Sequence, residues 1–251
     1  MWLDMVVSFS LLAVYCVASL SLGAWLLRLI LATDSLPTRL GTVLGVSSAM
    51  LLGQGVLANV WLLIGLTGWF ETWVVVAVLL LCVLAGLRSI RSLTVAFVRS
   101  TGLQWRAMRH ERYSWKLLAF LLIVQMVVMG VGALFMPAHG DAAAFYMPLA
   151  KYMAHYEQLT PLPGMYHTFS QVGLQGEMHF AALMSLGSES AAKGFVLPTS
   201  LAGLGMLLAI GGMVGLRFRG KWIAAVMYFT STAVTLISVD GKVALCAAAM
   251  V

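Results

Sequence analysis

The run LLAFLLIVQMVVMGVGALFM (Leu117–Met136) has no charged residue. At Pro137 it gives way to PAHGDAAAFYMPLAKYMAHYEQLTPLPGMYHTFSQVGLQGEMHF (Pro137–Phe180). A helix needs roughly 20 apolar residues to cross a hydrocarbon core about 30 Å thick. The first stretch is therefore a membrane span and the second a polar island joined to its end. The island holds His139, His155, His167 and His179 of the chain's five histidines, the acids Asp141, Glu157 and Glu177, and Lys151. It also holds Tyr146, Tyr152, Tyr156 and Tyr166. A chain that surrounds such a segment with lipid-soluble helices is expected to do its chemistry there.

The rest of the chain supports the membrane reading. It is 61% hydrophobic and 10% charged, whereas soluble domains average about 25% charge. Further apolar runs lie at Met5–Leu27, Thr42–Leu66, Thr72–Leu87, Ala192–Leu216 (with Pro198 in its first half) and Trp222–Val239. The expected fold is all-α, a polytopic transmembrane helix bundle with two external juxtamembrane helices. Residues 1–87 form three N-terminal spans, 88–116 a basic cytoplasmic loop, and 117–251 a module of a span, an external loop (137–191) and further spans. A new apolar run opens at Val243 and stops at Val251, so the chain reads as truncated at its C-terminus. MWLD lacks the basic start of a signal peptide. The cysteines Cys16, Cys82 and Cys246 lie in apolar runs, where they act as small hydrophobes.

Basic residues flanking spans mark the cytoplasmic side. Arg88, Arg91, Arg99, Arg106, Arg109, Arg112 and Lys116 crowd one connection. Placing it inside and alternating along the chain puts 12 of the 15 basic residues inside, leaving Lys151, Lys193 and Lys242 outside. Seven of the nine acids fall outside, so a net charge of +6 divides into about +10 inside and −4 outside. The N-terminus and the island are then extracytoplasmic. The basic loop faces anionic headgroups, and no nucleic-acid partner is called for.

Within the island, His139-Gly140-Asp141 reads as a turn, with Asp141 capping a following helix. Pro148 should kink or split that helix. Phe145, Pro148, Tyr152 and His155 share one face, as in a helix lying in the interfacial plane. Thr160-Pro161-Leu162-Pro163-Gly164 is a breaker. A second amphipathic helix is expected from about Gln171 to Leu186, with Glu177 and His179 on different sides. Ser188 is a candidate cap for the fifth span, and Gln54 and Asn59 read as interhelical hydrogen-bonding residues.

The segment HGDAAAFYMPLAKYMAHYEQLTPLP, with LQGEMHFAALMSLGSESAAKGF and VDGKVAL downstream, resembles the bacterial branch of the GT-C class of membrane glycosyltransferases. The resemblance covers about Leu117–Val251, and Asp141, Tyr146, Pro148, Ala150, Lys151, Tyr152 and Asp240 carry it. Met147 stands where that branch usually has His. It implies an integral membrane glycosyltransferase of the bacterial inner membrane and cell envelope. Such an enzyme moves a sugar from a polyprenyl-phosphate donor to a lipid or glycan acceptor on the extracytoplasmic face. Asp141 and Asp240 would be the catalytic carboxylates, Asp141 as base or metal ligand. Lys151, Lys242, Tyr146, Glu177 and His139 would contact substrate. The sequence requires no cofactor. A divalent metal is open to such chemistry, but the histidine spacings match no ligand motif.

Plain readings stand beside these. Asp141 caps a helix, Asp240 ends a span, and the lysines snorkel to headgroups. A transporter or flippase of a lipid-linked or small anionic substrate is the competing function, and a non-catalytic scaffold a third.

Overall fold

The computed structural model describes residues 2–32, 41–161, 164, 167 and 174–240. Helices α1 (Trp2–Leu31), α2 (Thr42–Thr67), α3 (Thr72–Arg109) and α4 (Tyr113–Phe135) come first. A π-turn (Ala142–Tyr146) leads into α5 (Met147–Tyr156), and α6 spans Gln175–Ser185. Then follow α7 (Glu189–Gly194), α8 (Val196–Met213), α9 (Phe218–Thr230) and α10 (Thr232–Asp240). Among the described residues, five helical stretches are long and apolar enough to cross a membrane: α1 to α4, and α7 with α8 as one span. The pair α9 and α10, bent by 57°, is apolar enough to count as a sixth if taken as one broken span. The described residues make an all-helical, multi-pass membrane bundle.

Small residues decide how the spans meet. Ser19 and Gly23 of α1 lie against Ala49 and Gly53 of α2. A Cβ added at Gly23 would overlap the Ala49 carbonyl, and one at Gly53 the Ser19 carbonyl. Gly86 brings α3 equally close to the Ser21 carbonyl. Apolar side chains gain little by leaving lipid for one another, so close backbone approach over small residues supplies the dispersion that holds such helices together. α1 is therefore clamped between α2 and α3. α8 joins the other side of α2, where Gly205 accommodates Ser47. α4 shows Phe120, Leu121, Val127 and Val128 outward, as a lipid-facing helix does.

Three local features depart from the sequence reading. The expected loop at 88–116 is helical as far as Arg109. Falling hydropathy ends the membrane-buried part of a helix but does not break its hydrogen bonds. At about 1.5 Å per residue, the 38 residues of α3 reach ~57 Å, well beyond a ~30 Å hydrocarbon core. The sixth span is broken at Ser231, where Thr235 Oγ1 donates to the freed Phe229 carbonyl at 2.9 Å. Side-chain hydroxyls competing for backbone carbonyls bend helices in this way. The fifth span has a break at Phe195, between α7 and α8. Pro198 has no N–H to offer, and its ring crowds the carbonyl four residues back. Ser188 does cap α7, its Oγ accepting from the Ala191 amide at 3.0 Å.

Contacts sort the connections into two ends. Phe70 N–H donates to the Glu157 carbonyl at 2.9 Å, and Leu159 N–H to Gly65 at 2.8 Å. Thr72 Oγ1 donates to the Ser185 carbonyl at 2.9 Å, and Ser188 Oγ to Ser8 Oγ at 2.8 Å. The island, the α2–α3 turn and the start of α1 thus share one end. At the other, Arg28 donates to Ser89 Oγ at 3.2 Å, and Arg219 pairs with Glu111 at 3.1 Å. The polar island and the basic segment occupy opposite ends of the bundle, as the charge count implied.

Candidate functional site

At the island's entrance, the His139 backbone N–H donates to Asp240 Oδ1 at 2.6 Å. This bond ties the end of α10 to the residues that follow α4, although the partners are 101 positions apart. Asp240 therefore bonds the backbone two residues before Asp141. Asp141 is exposed and sits in helical geometry, with no side-chain capping bond to the turn it precedes. The capping expectation is corrected: the chain is already helical at Asp141, so the cap position has passed.

Pro148 explains the π-turn. It falls at the first turn of α5, and its ring cannot coexist with an ordinary i−4 carbonyl contact. The wider i→i+5 register over Ala142–Tyr146 absorbs the clash. The result rotates Tyr146 inward. Its ring is half-buried and packs on Phe145 with centroids 4.3 Å apart. Burial raises the Tyr146 phenol above its ordinary pKa, and the charges of Glu177 and Asp141 add to the rise. Glu177 and Asp141 thus both act on one phenol that remains a neutral donor.

Glu177 is the chief surprise of the island. The second island helix exists, at Gln175–Ser185, but it does not lie exposed at an interface. Gly176 through Leu183 are all buried, and Phe180, Ala181 and Leu183 join the main core with Tyr15, Trp61 and Phe70. Burial pushes the Glu177 carboxyl up to about 7. Its Oε2 has no hydrogen-bond partner among the described residues.

Two residues on, His179 faces the spans. Trp61 Nε1 donates to Tyr15 Oη at 2.7 Å, and Tyr15 Oη lies 2.6 Å from His179 Nδ1. Indole is a donor only, so the tyrosine oxygen accepts from it while also bonding the imidazole. Burial holds the ring's pKa down to about 3, despite a weak contribution from the Gln54 backbone. Phe195 stacks on the ring, with centroids 4.4 Å apart. Nearby, Thr199 Oγ1 donates to Gln54 Oε1 at 3.2 Å, so Gln54 does bridge spans. Asn59 does not: its amide bonds to Gly55 of its own helix at 2.7 Å.

The remaining expected contacts are dispersed. Lys151 pairs with Glu189 at 3.6 Å, both side chains being well exposed. His139 is exposed and contributes its backbone to Asp240. Lys242 lies outside the described residues. Lys193, which the sequence reading left out of the site, is buried. It donates to the Gly132 carbonyl at 3.4 Å and lies within electrostatic reach of Asp240 and Glu189. His155 and His167 are exposed. Among the described residues, no three His, Cys, Asp or Glu side chains converge to hold a metal.

Sequence reasoning missed Tyr15, Trp61 and Lys193. Tyr15 and Trp61 are single polar-tipped aromatics inside apolar runs, and their one available signal is that a buried indole or phenol needs a partner. Searches against protein-family models, curated proteins and solved structures yield no match to this chain.

Proposed function

We propose that this chain belongs to an integral membrane glycosyltransferase that moves a sugar from a polyprenyl-phosphate donor to an acceptor hydroxyl at the island end of the bundle. That end is the extracytoplasmic one by the distribution of basic residues. The observation that carries the proposal is the convergence of separated acids. The His139–Asp240 bond brings Asp240 beside the segment bearing Asp141, while Tyr146 feels both Asp141 and Glu177. In the reaction, the acceptor oxygen attacks the sugar's anomeric carbon. Asp141 takes the hydroxyl proton as general base. The bond from that carbon to the phosphate oxygen breaks, its electron pair staying on the lipid phosphate. Among the described residues, Lys151 and the buried Lys193 are the cations at the island end to balance that charge.

The test is Asp141→Asn in the full chain, with sugar transfer from a polyprenyl-phosphate donor assayed in membranes. Loss of transfer with retained folding supports the role, and unchanged transfer refutes it. One observation favours the second reading, a carrier. Glu177, His179 and Gln54 are ionisable or polar groups buried in the bundle, and such groups in membrane interiors mark ion or substrate paths. Uptake or lipid flipping without sugar transfer would select that alternative.

A further inference from the structure

At the basic end, away from the island, a cavity of about 420 Å³ opens between α3, α4, α8 and α9, with Val43 of α2 at its edge. Leu122, Leu204, Leu208 and Trp222 form much of its wall, and Gln104 and Lys221 are its polar lining. Its volume falls within the range of small-molecule sites, roughly 300–1,000 Å³. The walls offer an apolar chain nothing to hydrogen-bond. The lysine offers the opposite.

Lys221 is half-buried in the first turn of α9. Its amine folds over Gly212 at the end of α8, where a Cβ would press against it. It makes no ion pair among the described residues, and the nearby acid Glu111 is engaged by Arg219. Arg219 also stacks over Trp115, 5.7 Å from the ring centroid, which keeps that guanidinium away from the cavity. An ammonium beside a greasy crevice, paired with no carboxylate among the described residues, complements one ligand class: a lipid with an anionic head. Basic pockets between membrane helices hold such headgroups.

We propose that this crevice is a specific site for one anionic phospholipid of the surrounding bilayer, with an acyl chain between α4, α8 and α9 and its phosphate on Lys221. The bound lipid seals the seam between α3 and the α8–α9 hairpin.

The experiment uses the full chain purified in mild detergent, with thermal unfolding followed during lipid addition. Phosphatidylglycerol is expected to raise the midpoint by several degrees. Phosphatidylcholine with the same tails, and inorganic phosphate, are expected to leave it unmoved. Lys221→Met should remove the phosphatidylglycerol effect and Lys221→Arg should keep it. Equal stabilisation by both lipids would overturn the proposal, and so would an equal effect of phosphate alone. Should Lys221→Met fold poorly, a phosphatidylglycerol with a photoreactive tail decides on the unmodified chain. Adducts on Leu204, Leu208 or Trp222 support the site, and adducts confined to outward residues such as Leu121 and Val128 refute it.

Discussion

Tyr15 and His179 are separated by 164 positions and meet through a 2.6 Å hydrogen bond inside the bundle. The same phenol accepts from Trp61, so one hydroxyl joins α1, α2 and α6. Because α6 also carries Glu177, this relay sets how the island's buried carboxylate faces Tyr146. Replacing Tyr15 by Phe leaves the Trp61 N–H and His179 Nδ1 unpaired at once. Each buried orphan costs about 1–3 kcal/mol, whereas single interhelical bonds in membranes average about 0.6. Tyr15→Phe should therefore destabilise by about 1–3 kcal/mol. Trp61→Phe should cost less in hydrogen bonding, because the Tyr15–His179 bond remains. Denaturant unfolding in detergent measures both, and equal effects would contradict the relay.

Glu177 makes stability depend on pH in a stated direction. Its folded pKa, about 7, lies above the ordinary 4.5, so the folded state holds the proton more tightly than the unfolded state. The favourable contribution is complete below about pH 4.5 and is lost as pH rises through 7. A tenfold difference in proton affinity between the two states is worth about 1.4 kcal/mol, which makes the loss on the order of 3–4 kcal/mol. Glu177→Gln should flatten this part of the pH profile and be the more stable form at pH 8. Melting midpoints at pH 5, 6, 7 and 8 for the two proteins provide the check.

The α1–α2 crossing tolerates no added carbon. At Gly53 a methyl meets the Ser19 carbonyl, and backbone cannot swing aside as a side chain can. Gly53→Ala should cost about 2–4 kcal/mol, at or above the usual range for overpacking. At Gly102, on the exposed part of α3, a Cβ meets nothing within 4 Å. Gly102→Ala should leave stability unchanged or raise it by up to ~1 kcal/mol through helix propensity. Comparable losses at the two sites would mean that the close crossing is not as described.

The bond from His139 to Asp240 is open to amide exchange. Asp240→Ala should abolish protection of the His139 amide, while Asp240→Asn, which keeps an acceptor oxygen, should retain part of it. The stability cost should be small, about 0.5–1.5 kcal/mol. Loss of transfer in Asp240→Asn with the amide still protected would separate a chemical role for the carboxylate from its tether.

Lys151 and Glu189 are both exposed, so their pair contributes at most about 1 kcal/mol. Lys151→Ala should scarcely move the melting midpoint. If transfer activity nevertheless falls, with the larger effect on KM for the phosphate-bearing donor, the lysine serves the substrate. An unchanged KM would leave it a surface residue.

The spans were legible because lipid imposes a one-dimensional rule: every backbone polar group must be satisfied within its own helix, so length and hydropathy suffice to find spans. Opposite ends for island and basic segment followed from counting arginines and lysines, and Pro148 announced the break before α5. The extension of α3 to Arg109 was hidden because hydropathy reports surroundings, and a helix continues into water without a signal.

The site divides along the same line. Asp141 at a turn and Asp240 at a span end could be placed from local pattern, whereas Tyr146 came only from the family resemblance. The burial of α6 could not be named, because its Glu177 and His179 look like interfacial residues until Tyr15, Trp61 and Gln54 close around them. Those partners come from spans more than a hundred residues upstream. Sequence determined what each segment is; which segments touch, and so which carboxyl leaves water and holds its proton near neutrality, was decided by packing over Gly23, Gly53 and Gly86, where the absence of a side chain lets two backbones meet.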